Sequence, residues 1–235
     1  MTRDQVMKQL KSYGNETTKR IFINHGAREP LYGVKVQDLK KIVKKIRKDY
    51  KLSLELYDTG NSDAMYLAGL IADEKAMTKL DLQKWVKGAY WYMISDYTVP
   101  WIAAESNFGE ELALEWIESD QEFIASAGWA TLSSLVSVKP DDDLNIEILD
   151  ALLDRAGKEI HSAQNRVRYS MNGFVIATGS YFKALSDKAL RIGEHIGKVH
   201  VDMGGTACKV PLATQYIQKV IDRGNLGKKR KMARC

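Results

Sequence analysis

Apolar residues three and four apart recur almost from one end of this chain to the other, and helix-capping residues punctuate them. That spacing predicts a mostly helical fold. Thr2 with Gln5 forms the pattern of a capping box, Asn15 opens a second helix that Gly26 ends, and the loop AREPLYG leads to a third. Further starts fall near Ser53, Ser62, Thr78, Asp96, Gly109, Asp120, Asp143, Ser162, Ser186 and Pro211. About a dozen short helices on short connectors point to antiparallel pairs stacked in series. The expectation is an all-α, HEAT-like-repeat α-solenoid with degenerate repeats of about 40 residues.

One stretch departs from this rhythm. In KVHVDMGGTACKVP, residues 198–211, side chains alternate around Gly204-Gly205, which predicts one small C-terminal β-hairpin. Pro211 then stands where a last helix begins, with Leu212, Tyr216 and Val220 on one face and Gly224 at its end. The chain has 235 residues, 45% hydrophobic, and only 4 Pro, enough for a sizeable core and unlike a disordered chain. The predicted organisation is one solenoid domain over residues 1–226 and a basic tail over 227–235.

The net charge of +5 is modest, but it is not evenly spread. Residues 35–51 hold eight basic residues against Asp38 and Asp49, a local balance of +6. On a helix, Val36, Leu39, Ile42, Val43 and Ile46 take one side, and Lys40, Lys41, Lys44, Lys45, Arg47 and Lys48 take the other. The tail GKKRKMARC adds five positive charges, among them Lys228, Lys229, Arg230 and Lys231, so the rest of the chain is net negative. A solvated face usually mixes signs, whereas clustered cations repel one another unless a polyanion neutralises them. Nucleic acid fits that role. A membrane surface would require apolar anchors beside the lysines, and here the apolar residues lie opposite.

Several chemistries find no pattern in the sequence. His25, His161, His195 and His200 lack metal-ligand spacing, Cys208 and Cys235 form no framework, and there is no phosphate-binding glycine loop. No metal, nucleotide or other cofactor is expected. The longest apolar run, Met65 to Ala72, falls far short of a membrane span, and the start lacks a secretory h-region, so a cytoplasmic protein is expected. Aromatic residues cluster at Trp85, Tyr90, Trp91, Tyr92, Tyr97 and Trp101. Within them Asp96, four residues after Tyr92, has two readings: the N-cap of a helix over 97–106, or a carboxylate held beside aromatic rings for a cationic ligand.

YGVKVQDLKKIVKKI, WYMISD, LEWIESDQEFIASAGWATL and RVRYSMNGFVIATGSY, in this order and separation, resemble the HEAT-like-repeat DNA alkylation repair proteins typified by the AlkD glycosylases. The resemblance covers most of the chain. It implies a C-shaped solenoid whose concave basic surface holds duplex DNA, with Arg166 and Arg168 of RVRYSMNGF among the DNA contacts. It also implies a site in which Tyr92 and Phe174 are the aromatics and Asp96 the candidate catalytic carboxylate. The family's arginine position falls on or near Ser126, so a guanidinium is missing. The C-terminal segment looks like the AlkF-like branch, associated with binding branched DNA. The expected function is recognition of DNA backbone and shape, including branched or distorted DNA. The alternative is an N-glycosylase excising cationic alkylpurines such as 3-methyladenine and 7-methylguanine.

Overall fold

The capping box expected at Thr2 closes α1, Arg3–Ser12, and the Asn15 side chain caps α2, Glu16–Asn24. The computed structural model describes residues 1–204, 206 and 208–234. Eleven further α-helices follow among them: α3, Val36–Ile46; α4, Tyr50–Tyr57; α5, Ser62–Ile71; α6, Lys79–Gly88; α7, Val99–Glu105; α8, Gly109–Trp116; α9, Glu122–Val138; α10, Ile146–Glu159; α11, Asn165–Tyr181; α12, Ser186–Ile196; and α13, Ala213–Asp222. Most starts fall within a few residues of the capping signals. Where they slip, a neighbouring side chain takes the cap: Asp49 for α4, Asn61 for α5 and Asn145 for α10.

Helices adjacent in sequence pack together, α4 on α5 and α8 on α9, across connectors short enough to enforce antiparallel pairing. Between pairs, α7, α9 and α11 lie side by side and form the spine of the stack. The core follows this spine. Trp85, Trp116, Trp129 and Phe174 are fully buried, Tyr57 stacks on Trp85 at 4.3 Å, and Trp129 meets Phe174 edge to face at 5.3 Å. Gly128 lets α9 approach α8 closely, since a Cβ there would lie 2.7 Å from the Ile117 nitrogen.

The β-hairpin is not formed: no strand occurs among the described residues. Gly205, half of the expected turn, lies outside the described residues, as does Cys235. What replaces the ladder is pairing with side chains. Asn165, at the start of α11, donates its Nδ2 to the Asp202 carbonyl at 2.9 Å and accepts the Asp202 N–H at 2.7 Å. Arg168 donates to the His200 carbonyl at 3.2 Å. Alternation of side chains needs only an extended backbone, and here the opposite edge is a helix terminus. At the tip, Gly204 has φ +68°, and a Cβ on it would sit 2.3 Å from the Asn24 carbonyl oxygen. The segment therefore bridges α11 to the end of α2.

The basic tail is also docked. The Arg230 N–H donates to the Ser137 carbonyl, the Ala233 N–H to Glu105 Oε1, and Ala233 is buried. Arg234 donates to the carbonyls of Gly69, Leu70 and Ala72 at the end of α5 and pairs with Glu74. These carbonyls have no intrahelical partners of their own, so the guanidinium acts as a cap.

Candidate functional site

The aromatic stretch passes into α7 through a π-helical turn, Met93–Thr98. Pro100 follows one turn later and has no N–H for the Asp96 carbonyl, which breaks the regular ladder. Asp96 thus stands inside a widened turn rather than at a helix entrance. It does not act as the N-cap of the expected helix over 97–106.

The Asp96 side chain is buried, with the residue 8% exposed. Its Oδ1 accepts hydrogen bonds from the Ser95 and Ser126 hydroxyls, each at 2.7 Å. Oδ2 accepts from both Nε and Nη2 of Arg166, Nε at 3.2 Å. An ionised carboxylate has about four acceptor positions, and all four are taken. Ser170 lies 2.7 Å from the Ser126 oxygen and completes a chain of hydroxyls, Ser170 to Ser126 to Asp96.

Arg166 is the centre of this arrangement. Its guanidinium lies between the rings of Tyr92 at 4.8 Å and Tyr169 at 4.4 Å, and Nη1 points to Met203 Sδ at 3.8 Å. Glu122 of α9 accepts the Arg166 N–H at 2.7 Å, which anchors the start of α11. The resemblance implies a guanidinium near Ser126; here a guanidinium reaches Asp96 from Arg166 on α11, and Ser126 contributes a hydroxyl. Burial pushes the Tyr92 and Tyr97 phenols above their ordinary range, so both stay neutral. The His25 ring stands 5.8 Å from Tyr92.

Of the three residues expected to meet, Tyr92 and Asp96 do so through Arg166. Phe174 does not; it is core, packed on Trp129. The second aromatic at the site is Tyr169, one residue before Ser170 and on the open face of α11. Two depressions flank the site. One of about 320 Å³ is lined by His25, Tyr92, Arg166 and Met203. The other, about 200 Å³, is lined by Asp96, Tyr97, Trp101, Tyr169, Tyr181 and Arg230.

The basic residues divide by environment. Lys40, Arg47 and Lys48 of the α3 region share a groove of about 760 Å³ with Lys231 of the tail, so the two charge clusters of the sequence meet in space. Arg234 of the tail lines it too, as do Lys75 and Lys139, which no sequence cluster marked. Lys44, Lys45 and Lys228 are exposed outside it, while Lys41 pairs with Asp38 at 2.7 Å. Lys229 is bound to the Val136 carbonyl and Asp141, and Arg168 braces the Ala163 and His200 carbonyls. Among the described residues no group of three or more His, Cys, Asp or Glu is placed to hold a metal ion, and no helix is long and apolar enough to cross a membrane.

This architecture has relatives. The family model described as DNA alkylation repair enzyme matches residues 6–207. The chain belongs to the DNA alkylation repair family. A solved structure from a family related to the HEAT-like repeat DNA glycosylases, with affinity for branched DNA structures, superposes with a TM-score of 0.91 at 40% identity over 100% of both chains. Its fold is the HEAT-like solenoid expected from helix spacing. The uncharacterized protein Lin0241 of Listeria innocua is 38% identical over 96% of this chain and 100% of its own. Lmo0209 of Listeria monocytogenes is 37% identical over 95% of this chain and 99% of its own. As a member of the repair family, this chain keeps an aromatic and a carboxylate at the spacing the resemblance implies but closes the carboxylate with an arginine from another repeat.

Proposed function

We propose that this member of the family recognises DNA by backbone and shape, including branched or distorted DNA, and does not excise bases. The AlkF-like branch is the part of the family it fits. Support for DNA as partner comes from the family, from the branched-DNA affinity of the similar solved protein, and from unpaired cations gathered on one groove. The observation that carries the choice against excision is the saturation of Asp96. Expulsion of a cationic alkylpurine leaves an oxocarbenium-like sugar, and a carboxylate stabilises it only with a free oxygen facing it. Here both oxygens are satisfied and a guanidinium cancels the charge. The rings of Tyr92 and Tyr169, held by the buried and neutralised Arg166–Asp96 pair, offer a firm surface against which DNA rests. The reading calls for no metal, nucleotide or other cofactor, and it places the protein in the cytoplasm.

The test is to titrate the protein with duplex and three-way-junction DNA across salt, and to incubate it with duplex carrying 7-methylguanine. Binding is expected on both DNAs, with log K falling by about 0.9 per phosphate neutralised and no free base released. Release of free 7-methylguanine by the wild type would overturn the reading in favour of the glycosylase.

A further inference from the structure

Arg47 is the one non-glycine residue with positive φ among those described, at φ +63° and ψ −121°. An L side chain is strained there and glycine is not. Nothing in the fold needs this side chain, since Arg47 is exposed and makes no ion pair among the described residues. It ends α3 where a glycine would end it more comfortably, and it lines the 760 Å³ groove. Strained positions of this kind persist where the side chain is used.

The groove lies where α5, α7 and α9 end, and two of its own acids, Glu74 and Glu105, are already matched. Arg234 takes the α5 carbonyls and pairs with Glu74 and Glu105, and Lys48 pairs with Glu74. Lys40, Arg47, Lys75, Lys139 and Lys231 are left without an ion-pair partner, against the single unpaired acid Asp143. Five cations converging on one groove against a single free carboxylate are held for an external polyanion.

Distance separates this groove from the Arg166 site. Glu122 and Phe123 line one and Val138 and Lys139 the other, so they lie at opposite ends of α9, about 22 Å apart at ~1.5 Å per residue. That exceeds the ~12 Å width of a major groove, so phosphates at the two places do not face each other across one groove. One strand, with a phosphate every ~3.4 Å of axis, reaches both only by running along α9, and equal loss on linear duplex is the result that marks that path. We infer that the groove holds the sugar–phosphate backbone of a second duplex arm, with Arg47 as a phosphate contact, while the first arm rests at the Arg166 site. This rests on the DNA-binding reading above and assigns the preference for branched DNA to a particular surface.

The experiment compares a three-way junction with linear duplex of equal total length, by fluorescence anisotropy over a range of salt. The proteins are wild type, Arg47→Gly, and a variant with Lys40→Gln, Lys75→Gln, Lys139→Gln and Lys231→Gln. Arg47→Gly is expected to melt at a higher temperature than wild type yet to lose affinity for the junction, with the salt slope lower by about 0.9. The quadruple variant loses more of that slope, and affinity for linear duplex stays within twofold in both. Equal loss on both DNAs, no loss on either, or an Arg47→Gly protein less stable than wild type would overturn the assignment. A wild type that binds neither DNA overturns instead the reading on which it rests.

Discussion

At Asp96 the choice between a cap and a catalytic group dissolves, because the carboxylate is one half of a buried ion pair. The distinction is measurable. Asparagine replaces aspartate at an N-cap at little cost, whereas removing one partner of a buried pair leaves the other charge without compensation, at about 3–5 kcal/mol. Asp96→Asn is therefore expected to lower stability by several kcal/mol in urea unfolding, and Arg166→Met added to it should restore a large part. A stable Asp96→Asn protein, or a double variant weaker than the single, would show that the pair is not what holds this region. Tyr92 and Asp96 were readable as a pair because four residues separate them. Arg166 was not, because its partner is 70 residues away and only packing of α11 against the π-helical turn joins them. Phe174 misled for a related reason: an aromatic in the right motif faces the core or the groove according to its angular position on α11, which a resemblance does not specify.

Helices were legible because each carries its own signal in caps and spacing, and the two segments that follow no such signal were not. Residues 198–211 alternate like a hairpin but bond to Asn165 and Arg168, and the basic tail is a strap rather than a loose arm. Glu74 makes the strap sensitive to acid. Burial raises the Glu74 carboxyl, but the Lys48 hydrogen bond and the Arg234 charge outweigh it and leave the group below its ordinary value of 4.5. A carboxyl held lower in the folded protein than in the unfolded chain contributes stability that is complete above about pH 4.5 and is lost as pH falls through the folded value. Amide exchange in residues 228–234, corrected for intrinsic rates, should thus be constant above about pH 4.5 and accelerate as pH falls below it. Glu74→Gln should show faster exchange already at pH 6 and a shallower pH dependence. An identical pH dependence in the two proteins would place the acid sensitivity elsewhere.

A helical solenoid is nearly one-dimensional, each repeat touching only its neighbours, so its ends can unfold without its middle. Two segments of this molecule break that rule. Gly204 seats the 198–211 segment on the end of α2, and Arg234 ties the last residues to α5, more than 160 positions earlier. Both close large loops onto the N-terminal half, so unfolding that half first must release the C-terminal segments as well. Wild type is expected to lose structure in α4 and in α11 at the same urea concentration, followed by hydrogen exchange at each helix. Gly204→Ala forces a Cβ against the Asn24 carbonyl, which belongs to backbone and cannot turn aside, and Arg234→Ala removes the cap on α5. With both changes together the N-terminal helices should open at lower urea than α9 and α11, giving two transitions where wild type has one. A single coincident transition in the double variant would mean that side-by-side packing of α5, α7 and α9 couples the halves by itself. The two segments would then serve the DNA surfaces they border rather than the cohesion of the fold.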